Sequence, residues 1–400
     1  MSEQQGTRPG APHRVSYGAP RFAEPAKHGI GFYICVASII AVAVAGFFYT
    51  LPLISFKGAG VTFVLLLLAL VPVVLILVLI QWIDEWEPEP RWLYAVAFVW
   101  GAGISTLQSI NGNQMVQDLV GARTHLDEYQ QAAIPVVVGA PLVEEAFKGI
   151  GVLLIFFVFN RYFNGPVDGI VYGMLIGLGF AFTENIFYFG QFYDELGAVF
   201  QARAIENPFV HPLSTALTGV GVGFASQART KLWVLPTIVA GYGGAVLLHG
   251  MHNYSAVQDM GSAQRLAFQL PLYVAAVALI CYLRLRERRA VMEVLGEYAR
   301  AGWINHNEMV MIQTLANREA SARWAGENVQ RLGGNSADGT RAMRRFQEEL
   351  LNLANARVRA LHRGTVNRPA DRAEEARRLE LLGYIRDIFT GTLYQYAPQP

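Results

Sequence analysis

Pro141-Leu-Val-Glu-Glu-Ala-Phe-Lys-Gly149 decides how this chain is read. Apolar sequence flanks it on both sides, Ala-Ala-Ile-Pro-Val-Val-Val-Gly-Ala over 132–140 and Ile-Gly-Val-Leu-Leu-Ile-Phe-Phe-Val-Phe over 150–159. The whole run is long enough for a helix to cross a bilayer, which takes ~20 residues. Yet it carries Glu144, Glu145 and Lys148 within five residues. Each ionised group near a bilayer centre costs at least ~2.5–3.5 kcal/mol on insertion scales. On a helix Lys148 lies four positions after Glu144 and three after Glu145, so it reaches either carboxylate. One lysine cannot neutralise two glutamates. The spare carboxylate points to chemistry, and the alternative is an ion pair that only locks helices together.

Working outward, the 400 residues are 53% hydrophobic and only 16% charged, against ~25% charged in soluble domains. The apolar residues come in long runs, which predicts an all-α polytopic membrane protein. Eight spans are expected, near 30–50, 59–81, 92–110, 133–158, 169–190, 208–226, 232–255 and 266–284. A net charge of +1, with no basic-aromatic groove, gives no sign of nucleic-acid binding. Two cysteines, Cys35 and Cys281, both in apolar runs, predict neither a disulfide framework nor a thiolate zinc site.

Three regions follow: a disordered tail over 1–28, a transmembrane domain over 29–285, and a cytoplasmic helical domain of about four helices over 286–400, broken at Gly333-Gly334 and near Pro369. With a cytoplasmic N-terminus, the inner segments hold twelve basic residues and the outer loops four. That fits the positive-inside rule and puts both ends in the cytoplasm. Glycines four apart (Gly169, Gly173, Gly177), with Gly219, Gly221 and Gly223, and Gly241, Gly243 and Gly244, predict close helix approach in spans four to seven. Spans one, two and eight are expected to face lipid.

Intramembrane polar residues gather in four spans: Glu144, Glu145 and Lys148; Glu184 and Asn185; His211; and His249, His252 and Asn253. In the expected topology all sit at middle-to-outer depth, although the helices alternate in direction. One water-accessible site opening outward is the economical reading.

Carboxylates with imidazoles suit a divalent metal such as zinc. Glu184, His211 and His249 are the candidate ligands, with Glu144 or Glu145, His252 supports them, and a glutamate serves as general base. Glu145 is the expected base, with Glu144 paired to Lys148 or sharing the water, and the two roles are interchangeable. A metal-free scheme, with Asn253 stabilising the oxyanion, stays open. So do a proton path in a transporter and an inactive membrane scaffold.

The ordered motifs Asp84-Glu-Trp-Glu-Pro-Glu-Pro90, Glu144-Glu-x-x-Lys148, Asp168-Gly169, Phe180-x-x-x-Glu184-Asn185, His211-x-x-x-Thr215 and His249-x-x-x-Asn253 resemble the PrsW family of intramembrane proteases. That family is similar to the CAAX prenyl-protease and bacteriocin-processing superfamily, whose second motif ends in histidine where this chain has Glu184. The resemblance covers about residues 80–255. It implies an all-helical membrane peptidase acting on membrane-anchored proteins, anti-sigma factors among them, in the plasma membrane. It matches Glu144, Glu145, Glu184 and His249 to functional positions, and Lys148, His211 and Asn253 to neighbouring motif positions. The Glu-Pro-Glu-Pro loop reads as a stiff acidic turn, away from the site.

Overall fold

A computed structural model of the protein describes residues 30–50, 58–123, 125–228 and 230–391. The tail expected over 1–28 lies outside them. The described residues are helical, with no strand among them, in keeping with the expected all-α fold. Two compact units emerge, His28–Ala290 and Val291–Pro400.

In the first unit, helices occupy all eight expected positions. They are α1 (Ile30–Thr50), α2 (Ala59–Ile83), α3 (Arg91–Gly121), α4 (128–158), α5 (Pro166–Gln191), α6 (Val210–Ser226), α7 (Val234–Val257) and α8 (Ser262–Arg300). Among the described residues five are long and apolar enough to cross a membrane: α2, α3, α5, α7 with its lead-in turn, and α8. The third helix departs from expectation. It does not end near 110 but continues to Gly121 through a polar stretch, Asn111-Gly-Asn-Gln. This extension carries one of the site's residues.

Central α5 is the most enclosed of the long helices, with 83% of its apolar window buried. Its glycines explain why. A Cβ on Gly169, Gly173 or Gly177 would lie 2.0, 2.5 or 2.4 Å from the carbonyl oxygens of Gly219, Thr215 and His211. Each step of four along α5 matches a step of four back along α6, so the two run antiparallel in backbone contact. That register is fixed by sequence, and it delivers Thr215 and His211 to the polar end of α5. The α6–α7 seam is built the same way, where a Cβ on Gly221 would meet the Thr237 carbonyl at 2.4 Å.

The expectation of a tight bundle over spans four to seven holds at these seams but not all round. Only 17% of the α7 window is buried, less than the 33% of α2. One face of α7 is thus as open as the presumed lipid-facing wall, while α3, with 56% of its window buried, joins the core. Trp100 and Ser105 of α3 both donate to the Phe147 carbonyl at 3.2 Å, at a stretch of wider π-type turns over Trp100–Ser105. Those bonds fix α3 against α4 beside the glutamate pair.

The second unit holds helices α9 (His306–Met311), α10 (Leu315–Arg331), α11 (Ser336–Arg363) and α12 (Pro369–Thr390). Breaks fall where glycine takes positive φ, at Gly333 (83°) and Gly364 (65°), and where Pro369 opens α12. Val329, Phe346, Leu350 and Phe389 form its core. Arg341 and Arg345 stay on solvated faces, paired with nearby acidic residues.

Candidate functional site

The four polar-bearing spans converge on one place. Lys148 and Glu145 are fully buried, and Nζ lies 2.6 Å from Glu145 Oε1 against 3.9 Å from Glu144 Oε2. The lysine therefore pairs with Glu145, not with Glu144. Glu145 is also bound by Thr215 Oγ1, which donates to Oε2 at 3.0 Å, and by His249 Nδ1 at 3.0 Å. With three partners on two oxygens, Glu145 is held rather than poised.

Glu144 stands differently. Asn113 Nδ2 donates to its Oε1 at 3.0 Å, while Oε2 is buried with no hydrogen-bond partner. Asn113 lies on the extension of α3 beyond the expected span, so the sequence reading missed it. The polar run around it was the available signal.

Hydrogen-bond logic fixes the imidazoles. A carboxylate only accepts, so His249 Nδ1 carries the proton it gives Glu145, and the neutral ring has its lone pair on Nε2. That Nε2 faces Glu144 Oε2 at 3.8 Å. Two acceptor atoms thus confront each other across a gap, an arrangement that calls for a proton, a water or a cation between them. His211 is satisfied at both nitrogens: Nε2 gives its proton to Glu184 Oε2 at 2.6 Å, and Nδ1 accepts from Lys148 Nζ at 3.2 Å. Its ring stands edge-on to His249, with centroids 4.8 Å apart. Phe180 closes the floor, with Lys148 Nζ 4.2 Å from its ring centre.

Glu184 pairs with an unanticipated partner. Arg203, in the short helical segment 196–206, places Nη2 2.6 Å from Glu184 Oε2 and Nε 2.8 Å from Asn185 Oδ1. It also packs over the Tyr188 ring at 4.0 Å. Arg203 is one of the four basic residues expected in the outer loops, where a charge carries no sign of a site.

Asn253 and His252 sit on the same cavity but not at its centre. Asn253 Nδ2 donates to the Val136 carbonyl at 2.9 Å, in the π-type turns of Pro135–Gly139. His252 Nδ1 lies 3.3 Å from Gln269 Nε2 of α8. The cavity itself has a volume of about 940 Å³, and Glu144, Glu184, His211, His249 and Asn253 all line it.

Three carboxylates here face two cations, Lys148 and Arg203, which leaves one negative charge in a buried place. Glu144, His211 and His249 present ligand atoms within 4.8 Å of one another. Glu145 orients His249 as a carboxylate orients a metal-ligating histidine. The surplus charge, the orphaned Glu144 oxygen and the bare His249 Nε2 fit a borderline divalent cation such as zinc.

The same region is similar to known proteins. Residues 89–281 match the family described as "PrsW family intramembrane metalloprotease". Two curated relatives are each named "Protease PrsW". The one from Bacillus subtilis (strain 168) is 34% identical over 124 residues, covering 28% of this chain and 49% of the relative. The one from Clostridioides difficile (strain 630) is 29% identical over 124 residues, covering 31% of this chain and 50% of the relative. The chain thus spans about half the length of the curated relatives it matches. No solved structure matches it. The family match ends inside α8 and takes in every side chain of the converged site, so it is the PrsW family that this membrane unit resembles over residues 89–281.

Proposed function

We propose that the protein is an intramembrane peptidase that hydrolyses a peptide bond of a membrane-anchored protein, with Glu144 as general base. The observation that carries this is Glu144 Oε2, buried on the wall of a 940 Å³ cavity, without a partner and 3.8 Å from His249 Nε2. A water in that gap gives a proton to Glu144 as its oxygen adds to the carbonyl carbon, and Glu144 passes that proton to the amine nitrogen as the C–N bond breaks. Asn113 holds Oε1 and so aims Oε2. Glu145, neutralised by Lys148, holds His249 in the tautomer that leaves Nε2 bare. The base is thus Glu144 and the orienting residue Glu145, the reverse of the simplest expectation from sequence.

Glu144, His211 and His249 are the residues that would hold a metal, and Glu144 would then be a ligand in place of the base. A zinc ion there supplies Lewis-acid polarisation of the scissile carbonyl. For His211 to join, its ring gives up a contact with Glu184 or Lys148. The tight His211–Glu184 bond favours the metal-free alternative, in which Glu144 and His249 act on water alone. Activity that survives exhaustive chelation, in protein free of metal by elemental analysis, selects that alternative.

We further propose residence in the plasma membrane, both ends cytoplasmic and cleavage in its outer half. A membrane-bound anti-sigma factor is the substrate class that the family resemblance names. The substrate helix unwinds locally at the cut, since an intact helix hides its backbone. The test compares membrane-protein fragments in cells carrying the parent or Glu144→Gln. A fragment present only with the parent names the substrate, and identical fragment patterns overturn the proposal.

A further inference from the structure

A second group of acids lies at the opposite end of α5. Asp168 opens this helix, sixteen residues and so ~24 Å before Glu184. Its Oδ2 accepts from the backbone N–H groups of Asn164 and Gly165 at 2.5 and 3.1 Å. Glu87 comes from the acidic turn between α2 and α3, where Asn164 Nδ2 donates to its Oε1 at 3.2 Å. Glu287 comes from α8. Carboxylate oxygens of Glu87, Asp168 and Glu287 all lie within 4.8 Å of one another.

Converging acids alone do not make a site. Glu287 supplies an independent sign. Its Oε2 is shut off from solvent and has no hydrogen-bond partner, though the rest of the residue is half-buried. One carboxylate oxygen of Glu287 thus lies in the group, and Oε2 of the same carboxylate is left unsatisfied. The surroundings are acidic. Two further acidic residues, Asp84 and Glu89, are buried beside it. Arg284, a nearby cation, is committed to Glu85 at 2.5 Å.

We propose that Glu87, Asp168 and Glu287 hold a hard divalent cation, with Ca²⁺ the closest fit. The donors are all oxygen, the choice of Ca²⁺ and Mg²⁺. Ca²⁺ accepts an irregular shell of carboxylate oxygens at about 2.4 Å, whereas Mg²⁺ demands a near-ideal octahedron and keeps several of its waters. The site ties three elements together: the acidic turn, the start of α5 and α8 four residues before the second unit begins at Val291. It is separate from the glutamate–histidine cavity and stands whether or not that cavity is catalytic.

The experiment follows thermal unfolding of the full chain in detergent, stripped of divalent ions, as Ca²⁺ is added up to about 1 mM. The parent is expected to gain stability with Ca²⁺. Glu287→Gln is expected to unfold at a higher temperature than the parent without Ca²⁺, because an unpartnered charge is gone, and to lose the response to Ca²⁺. Glu87→Gln is the second variant and loses the same response. Glu144→Gln keeps it, which separates this site from the cavity. A Mg²⁺ titration run beside it assigns the ion. No response to either ion in the parent overturns the proposal and leaves a proton as the neutraliser. An equal response in parent, Glu287→Gln and Glu87→Gln overturns it too.

Discussion

His249 Nδ1 lies 3.0 Å from Oε1 of Glu145, and this one contact sets which nitrogen the ring offers to the cavity. It divides the labour of two adjacent glutamates. Glu145→Gln strands Lys148 as a buried cation and frees the His249 ring. Removing one partner of a buried pair costs about 3–5 kcal/mol, so this variant is expected to unfold well below the parent. Glu144→Gln removes a buried charge whose Oε2 has no partner and leaves an acceptor for Asn113, so it is expected to keep or raise stability while cleavage falls by ~10²–10⁴. Unfolding temperature and cleavage rate, measured on both variants, check the division. Equal loss of stability in the two would refute it.

Arg203 closes one side of the cavity by gripping Glu184, Asn185 and Tyr188 together. Lysine keeps the charge but has no planar fork to serve two oxygens. Arg203→Met is therefore expected to lose most activity, and Arg203→Lys to recover only part of it. Cleavage assays on the two variants test this, and full rescue by lysine would reduce Arg203 to a simple counter-charge.

Stability at the acidic turn depends on pH in a stated direction. Burial is the main reason the Asp84 carboxyl rises to about 7; Tyr94 and the Glu89 N–H, which donate to it, oppose the rise. Folding thus favours the protonated acid. Its contribution is full below the ordinary carboxylate range near pH ~4 and is lost as the pH climbs through 7, by up to about 1.4 kcal/mol per unit. Asp84→Asn keeps an acceptor for both donors. It is expected to flatten the fall in unfolding temperature between pH 5 and 8, measured without divalent ions. A slope unchanged by the substitution would count against Asp84 as its source.

Backbone contact between α5 and α6 makes its glycines irreplaceable. Gly169→Ala drives a methyl group to 2.0 Å from the Gly219 oxygen. Overpacking of this kind costs typically 1–3 kcal/mol, more where only backbone can yield. Gly243→Ala meets nothing within 4 Å and is expected to be neutral or stabilising by up to about 1 kcal/mol. Thermal unfolding of the pair checks both signs.

Much of the site was legible because a charge in an apolar run is conspicuous. Glu144, Glu145, Lys148, Glu184, His211 and His249 stand out against lipid-compatible sequence, and the glycine spacing foretold the α5–α6 seam. What stayed hidden depends on side-chain direction. Nothing in the spacing of Glu144, Glu145 and Lys148 tells which carboxylate the lysine takes, since both are in reach. Asn113 and Arg203 sit in polar stretches where such residues are ordinary. Asn253 shares a helix face with His249, as its spacing requires, but its amide is spent on the Val136 carbonyl. The acidic turn was read as a stiffened bend because its partners, Asp168 and Glu287, lie far along the chain.

The welded seam between α5 and α6 has a mechanical corollary. Two helices whose main chains touch at three successive levels have no slack, so the wall bearing Glu184 and His211 behaves as a fixed jaw. If the chamber admits and releases a polypeptide, as proposed, it widens on its other flank. There α7 turns a largely bare face outward, whereas the 196–206 segment is held by Arg203 and by the packing of Leu196, Val199 and Phe200. Entry from within the bilayer, past that looser flank, is the route the packing leaves open.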